Sequence, residues 1–357
     1  MDRRHGRRLL GEFLVKLASR LLIAVFAVAS VEARAAEIDF GFDPARHNRF
    51  LSGFGTLPVQ NPNVLGGGLD FSGVGWSTLA DDLLGMNLNV PDMRLNVAMV
   101  TPRHFITADH FRPSVGSSVK FLGSDGVVRS YTVDSYIPLR YDPANVNPSN
   151  RSDLIVGQLV ETIQPQDNIK IYSVLRTGAF EYPFGNTPPN YIEWYRGKQM
   201  VVVGKNDQGG PGFVDANGDG YNDRGGKIGI NIIDDLGVYN FGTSATNTVG
   251  VGFESPAATP DSARIVGGDS GSASFILYNG QLYALGAHSG ADFTVNPQYN
   301  IDGFLPYYFD QINQLIASTG FQMTAFNPVP EPSTWAMIGV AGATVYFFRR
   351  KRSPIPA

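Results

Sequence analysis

There is no cysteine among the 357 residues, so no disulfide, thiolate nucleophile or cysteine-bound metal can contribute to fold or chemistry. Positive charge is also scarce once the two ends are set aside: residues 36–348 hold 17 Lys and Arg against 29 Asp and Glu, a net charge of −12. Nucleic-acid binding needs clustered cations that displace phosphate counterions, so no nucleic-acid partner is expected, and polyanions are repelled. Histidine is rare too, with His47, His104, His110 and His288 alone between residues 36 and 348. What is plentiful is glycine (41), proline (23) and tyrosine (15), set among valine-rich stretches, the composition of many short strands joined by turns. At 43% hydrophobic and 17% charged residues, the chain can bury a sizeable core as one large domain or two modest ones. The expected class is all-β.

The two marked apolar runs lie at the ends. Residues 1–35 combine a basic start (Arg3, Arg4, Arg7, Arg8), the run "LLIAVFAVA" and "ARA" at Ala33 to Ala35, the pattern of a secretory signal peptide cleaved after Ala35; an amphipathic helix of the mature protein is the alternative. At the other end a linker over 321–333 precedes an uncharged run, Thr334 to Phe348, and four basic residues. Those 15 residues span about 22 Å as helix against a hydrocarbon core of about 30 Å. The transmembrane helix and basic stop over 334–352 therefore form a short, transient membrane anchor, with the basic residues cytoplasmic and the preceding domain outside. "VPEPS" (Val329 to Ser333), the short apolar helix and the arginine cluster together resemble the PEP-CTERM sorting tail of Gram-negative bacteria. That resemblance implies processing by an exosortase near Pro330 to Pro332 and delivery to the cell surface or extracellular matrix. A plain membrane anchor is the bland alternative.

Three internal stretches carry chemistry. "LNVAMVTPRHFITADHF", from Leu95, reads as strand, turn at Thr101 to Arg103, and strand, with His110 just past its end. "NRSDLIVGQL" puts Asp153 at the head of an apolar strand, where a carboxylate is costly unless paired, and an imidazole N–H is a suitable partner. In "VGGDSGSASFILY", Gly267, Gly268 and Gly271 let the backbone turn sharply and present Ser270 before the strand Ala273 to Tyr278. Acyl transfer needs a hydroxyl, a base, an orienting acid and convergent N–H donors, and all four are present.

"ITADH", "SDLIVGQL" and "GGDSGSASF", in the order His, Asp, Ser, resemble the chymotrypsin/trypsin superfamily of serine proteases over roughly residues 70–320. The resemblance implies two six-stranded antiparallel β-barrels, about 70–165 and about 190–305, followed by a C-terminal helix. It implies Ser270 as nucleophile, His110 as general base and then acid, Asp153 as the group that orients the imidazole, and the backbone N–H groups of Gly268 and Ser270 as oxyanion hole. "QLYALGAHSGADF" matches the strand lining the specificity pocket, with Ser289 where the family keeps a serine near the catalytic aspartate. "FLPYYFDQINQLIASTG" reads as the closing helix, with Phe309, Ile312, Leu315 and Ile316 on one face.

"RIVGG" at Arg264 to Gly268 has the look of a zymogen activation site, but it follows both His110 and Asp153 and abuts Ser270, so cutting it would sever the pocket. Arg264 is instead expected as a pocket wall. Arg264, His288 and Ser289 make up the expected substrate pocket, and a cationic pocket points to an acidic P1 residue; the bland alternative has Arg264 outward and His288 packed. The insertion 215–226 offers Asp215, Asn217, Asp219, the Tyr221 carbonyl and Asp223 at alternate spacing, suited to a structural Ca²⁺. Gly226 stands where an EF-hand has its bidentate glutamate, and a solvated acidic turn is the alternative. Asp109 places a second carboxylate beside His110, and the extension 36–69 carries no motif. Two function classes follow: a secreted serine endopeptidase acting on protein or peptide, or a catalytically idle barrel that binds peptide or matrix polymer. An esterase would use the same triad.

Overall fold

The structure is a computed structural model that describes residues 37–38, 42–51, 58–78, 94–145, 147, 149–180, 192–204, 226–240, 247–255, 261–265, 269–292 and 298–328. The signal segment, the calcium-loop insertion over 215–223 and the segment 334–352 lie outside the described residues. Among the described residues no helix is long and apolar enough to cross a membrane.

The first half closes into a barrel. Its strands are β2 (Val74–Thr78), β3 (Arg94–Met99), β4 (His104–Ala108), β5 (Ser118–Leu122), β6 (Val128–Pro138) and β7 (Leu154–Leu159), preceded by a two-residue β1 (Glu37–Ile38). They pair in the order β2-β3-β4-β7-β6-β5, and Trp76 opposite Lys120 closes the ring. Alternate residues point inward, as the two-residue period of a strand requires: Val97 and Met99 of β3, Val119 and Phe121 of β5, and Leu159 of β7 form one buried cluster with Phe105. Gly157 of β7 makes room for that phenylalanine. A Cβ there would stand 2.1 Å from the Phe105 ring.

The second half is an open sheet. It contains β8 (Val174–Leu175), β9 (Gln199–Val203), β10 (Ile228–Ile232), β11 (Asp235–Asn240), β12 (Asn247–Ser255), β14 (Ala273–Tyr278), β15 (Gln281–Asp292), β16 (Gln298–Phe304) and β17 (Ala325–Phe326), while β13 (Ala263–Arg264) pairs with β1. The main order is β10-β9-β14-β15-β16-β12-β11, with β8 against β15 and β17 against β8. Two six-stranded barrels were expected; among the described residues one barrel is closed and the other half is a nine-stranded sheet. Register shifts at Ser274/Phe275 and at His288/Gly290 bend β14 and β15, and among the described residues no ladder joins β10 to β11.

A short helix α1 (Pro44–His47) and a twelve-residue α2 (Leu305–Ile316) complete the fold. α2 starts with Pro306 in its first turn, and the chain stops at Gly320 in the left-handed region (φ 78°). Its buried face is Leu305, Pro306, Tyr307, Tyr308, Ile312 and Ile316. Leu315, expected on that face, is 45% exposed.

The extension 36–69 ties barrel to sheet. β1 pairs with β13, Asn48 bridges to Lys227, and Arg49 N–H donates to the Gly226 carbonyl at 2.8 Å. The buried Arg49 guanidinium donates to the carbonyls of Phe71 and Val74 in the barrel half and lies 4.7 Å over the Phe50 ring. Burial pushes its pKa down to about 10.

Candidate active site

His110 lies two residues past the end of β4, and Asp153 sits immediately before β7. Those two strands pair from His104↔Gln158 to Ala108↔Leu154, so the ladder that builds the barrel also sets the two side chains side by side. The Asp109 N–H donates to the Asp153 carbonyl at 2.6 Å and the His110 N–H to Asp153 Oδ1 at 3.2 Å. His110 Nδ1 is 2.8 Å from the same Oδ1. Asp153 is buried, whereas the His110 side chain is 43% exposed.

Ser270 comes from the other half. Its Oγ lies 2.8 Å from His110 Nε2, which completes a line from carboxylate through imidazole to hydroxyl. Gly271 has φ 81°, and a Cβ on it would stand 2.4 Å from Thr107 Oγ1 and 2.9 Å from the Phe111 carbonyl. Only glycine fits both the backbone and the space. The loop is bound to β15 by Gly271 N–H to the His288 carbonyl (2.9 Å) and His288 N–H to the Ser272 carbonyl (2.8 Å). It is bound to the barrel by the buried Asn96 Nδ2, which donates to Ser272 Oγ at 2.6 Å. Thr107 in turn donates to the Asn96 carbonyl at 3.1 Å.

Asp109 does not compete for His110. Its carboxylate is ion-paired with Arg112, whose guanidinium also stacks over Tyr136 at 4.7 Å.

The expected pocket residues are placed differently from one another. Arg264 is half-buried on β13, opposite Glu37 of β1. His288 was expected to face substrate, but it has no exposed surface: Nδ1 is 2.6 Å from Asp302 Oδ1 and Nε2 donates to the Val203 carbonyl at 2.9 Å. Both ring nitrogens are occupied, so it stands behind the wall of any pocket. Burial opposes its charge, but Asp302, Asp269 and the Val203 carbonyl outweigh that and raise its pKa. Ser289 is buried, with its Oγ 3.4 Å from the Ala287 carbonyl. Asp153 Oδ2 is buried without a hydrogen-bond partner among the described residues. Gly268, of the expected oxyanion hole, lies outside the described residues, as do Asp215, Asn217, Asp219, Tyr221 and Asp223. Among the described residues no group of three or more His, Asp or Glu side chains could hold a metal ion.

Sequence reading missed Asn96, Asp302 and Asp261. Asn96 carried one signal, a polar residue in the middle of a largely apolar strand, whereas Asp302 shares its strand with Gln298 and Asn300 and did not stand out. Asp261 carried none. It takes both Arg46 nitrogens at 2.6 Å and His47 Nε2 at 3.0 Å, and the Arg46 hydrogen bond holds its pKa below the usual carboxylate range. The stretch leading to Arg264 is thereby pinned to α1.

A PEP-CTERM protein-sorting motif matches residues 328–352. No curated protein matches the chain. Among solved structures, human heparin binding protein is 16% identical, with a TM-score of 0.42 over 74% of this chain and 95% of that one. An atomic-resolution structure of HBP is 15% identical with a TM-score of 0.43 over the same shares. Neuropsin, a serine protease expressed in the limbic system of mouse brain, is 15% identical with a TM-score of 0.41, covering 69% and 94%.

Proposed function

We propose that this protein is an exported serine endopeptidase that cleaves peptide bonds through an acyl-enzyme. The observation that carries the proposal is the line Asp153–His110–Ser270, 2.8 Å at each step, with a buried acid and a solvent-reachable base. Asp153 accepts from His110 Nδ1–H, which leaves Nε2 free of hydrogen and able to accept from Ser270. As Oγ bonds to the scissile carbonyl carbon, its proton moves to Nε2 and the imidazolium gains the Asp153 charge as partner. Collapse breaks the C–N bond, and Nε2 gives that proton to the leaving amine. Water then repeats the sequence on the ester and restores Ser270. The N–H groups of Gly268 and Ser270 are proposed as donors to the oxyanion, where losing one donor typically costs about 100 to 1,000-fold in rate.

The sorting motif over 328–352 supports export and delivery to the envelope or surface of a Gram-negative cell, with an exosortase as processing partner. Acidic P1 preference is the finer proposal. It rests on Arg264 as a wall, since His288 is buried with both ring nitrogens occupied, and abundant cleavage after Lys or Arg with none after Glu or Asp in a peptide library would sink it. Structural Ca²⁺ in the 215–223 loop is likewise proposed, and isothermal titration without Ca²⁺ binding would refute it.

The deciding experiment is fluorophosphonate labelling of the purified chain beside Ser270→Ala and His110→Ala. Labelling of Ser270 that requires His110 supports the proposal. A folded chain that stays unlabelled overturns it in favour of a binding protein.

A further inference from the structure

A cavity of about 530 Å³ lies between the segment that leads from β6 to Asp153 and the outer side of α2, within the ~300–1,000 Å³ range of ligand sites. Its walls include Ile137, Pro143 and Leu315, and Arg140, Arg151 and Gln314 supply polar groups. The backbone around it is held in place. Gln311 accepts from Arg140 N–H at 2.8 Å and donates to the Arg140 carbonyl at 3.2 Å, and Asn150 Nδ2 donates to the Asn145 carbonyl at 2.5 Å. Ser152, next to Asp153, donates to Tyr308 of α2 at 2.8 Å.

The two arginine side chains are not held. Elsewhere Arg46, Arg112, Arg129, Arg176 and Arg196 sit on carboxylates, Arg49 and Arg103 on carbonyls, and Arg264 is engaged as well. Arg140 and Arg151 are exposed, and the described residues give neither guanidinium a partner. In a domain with an excess of carboxylates, two guanidinium groups without a partner among the described residues line one cavity.

We infer that this cavity is an exosite for substrate polypeptide: it takes a segment outside the scissile bond in which carboxylates are interspersed with aliphatic side chains. Planar guanidinium groups match carboxylates bidentately, and the Ile, Pro and Leu walls suit aliphatic side chains. A dense polyanion would meet repulsion from the surrounding net charge of −12, which a peptide with a few carboxylates largely avoids. The word "substrate" rests on the endopeptidase proposal; the binding itself does not.

The test uses the full chain carrying Ser270→Ala, which binds without cleaving, and fluorescence anisotropy with a labelled peptide of interspersed Glu and Leu. Saturable binding that weakens about tenfold or more in Arg140→Glu/Arg151→Glu, and that a Lys/Leu peptide does not compete, supports the exosite. Unchanged binding in the double variant overturns it. So does a sulfated oligosaccharide that binds at least as tightly through the same two arginines. The double variant should melt with the parent, and a clearly lower melting temperature would contradict the absence of structural partners. Peptide binding by a chain that fluorophosphonate leaves unlabelled would keep the site and reject the endopeptidase, whereas labelling without peptide binding would do the reverse.

Discussion

Two histidine–aspartate pairs stand on the two faces of the Ser270 loop, and locally they are near copies. In each, Nδ1 meets a carboxylate Oδ1, at 2.8 Å for His110–Asp153 and 2.6 Å for His288–Asp302. In each, the aspartate's Oδ2 is buried without a hydrogen-bond partner among the described residues. They differ at the far nitrogen. His110 Nε2 meets a hydroxyl that can lose its proton, and its side chain is 43% exposed; His288 Nε2 meets a carbonyl that can only accept, and its side chain is fully buried. A His–Asp pair is therefore not a signature of chemistry. The third partner and access to solvent decide whether the pair shuttles a proton or stores a charge.

Breaking the exposed pair should produce the largest change. His110→Ala is expected to slow acylation of Ser270 by about 10⁵-fold or more with little change in melting temperature, as followed by fluorophosphonate labelling kinetics beside a thermal melt. Asp153→Asn keeps the shape but favours the wrong tautomer, for a loss of about 10⁴-fold in the same assay. The buried pair should respond in stability instead. Asp302→Asn breaks a buried pair and removes the carboxylate that raises the His288 pKa, and is expected to cost about 3–5 kcal/mol in denaturant unfolding, while labelling per folded molecule persists. Asn96→Ala removes the hydrogen bond to Ser272, worth about 1–3 kcal/mol, and should slow acylation about tenfold without unfolding the chain. The smallest effect is in pH. Because the pKa of His288 is raised on folding, its contribution is full below the unfolded value of about 6.5 and is lost as pH rises through the folded value, with a slope of at most about 1.4 kcal/mol per pH unit. Denaturant midpoints across neutral and alkaline pH should show that decline, and Asp302→Asn should flatten it.

Local motifs made most of the line Asp153–His110–Ser270 legible. Each residue lies near a strand whose apolar pattern is readable, and the pairing that brings His110 and Asp153 together is the ordinary antiparallel ladder β4–β7. What the sequence hid depends on distant partners. His288 looked like a pocket residue because the aspartate that buries it is on the neighbouring strand, at Asp302↔His288 in the register. Leu315 fitted a helical stripe, yet it is 45% exposed and lines the cavity beside α2. The second closed barrel that the resemblance implied is a nine-stranded sheet among the described residues, with register shifts in β14 and β15 that a two-residue alternation does not announce. The extension 36–69 had no motif because its partners, Asp261 for Arg46 and His47, lie 215 and 214 positions away.

That last separation also sets an order of events. The strand Glu37–Ile38 leaves the ribosome long before Ala263–Arg264, the strand it pairs with, and a contact between such distant residues forms late. The stretch that leads to Ser270 therefore cannot be braced until nearly the whole domain has been made. Until then the two-residue ladder that braces the approach to Ser270 has only one of its strands.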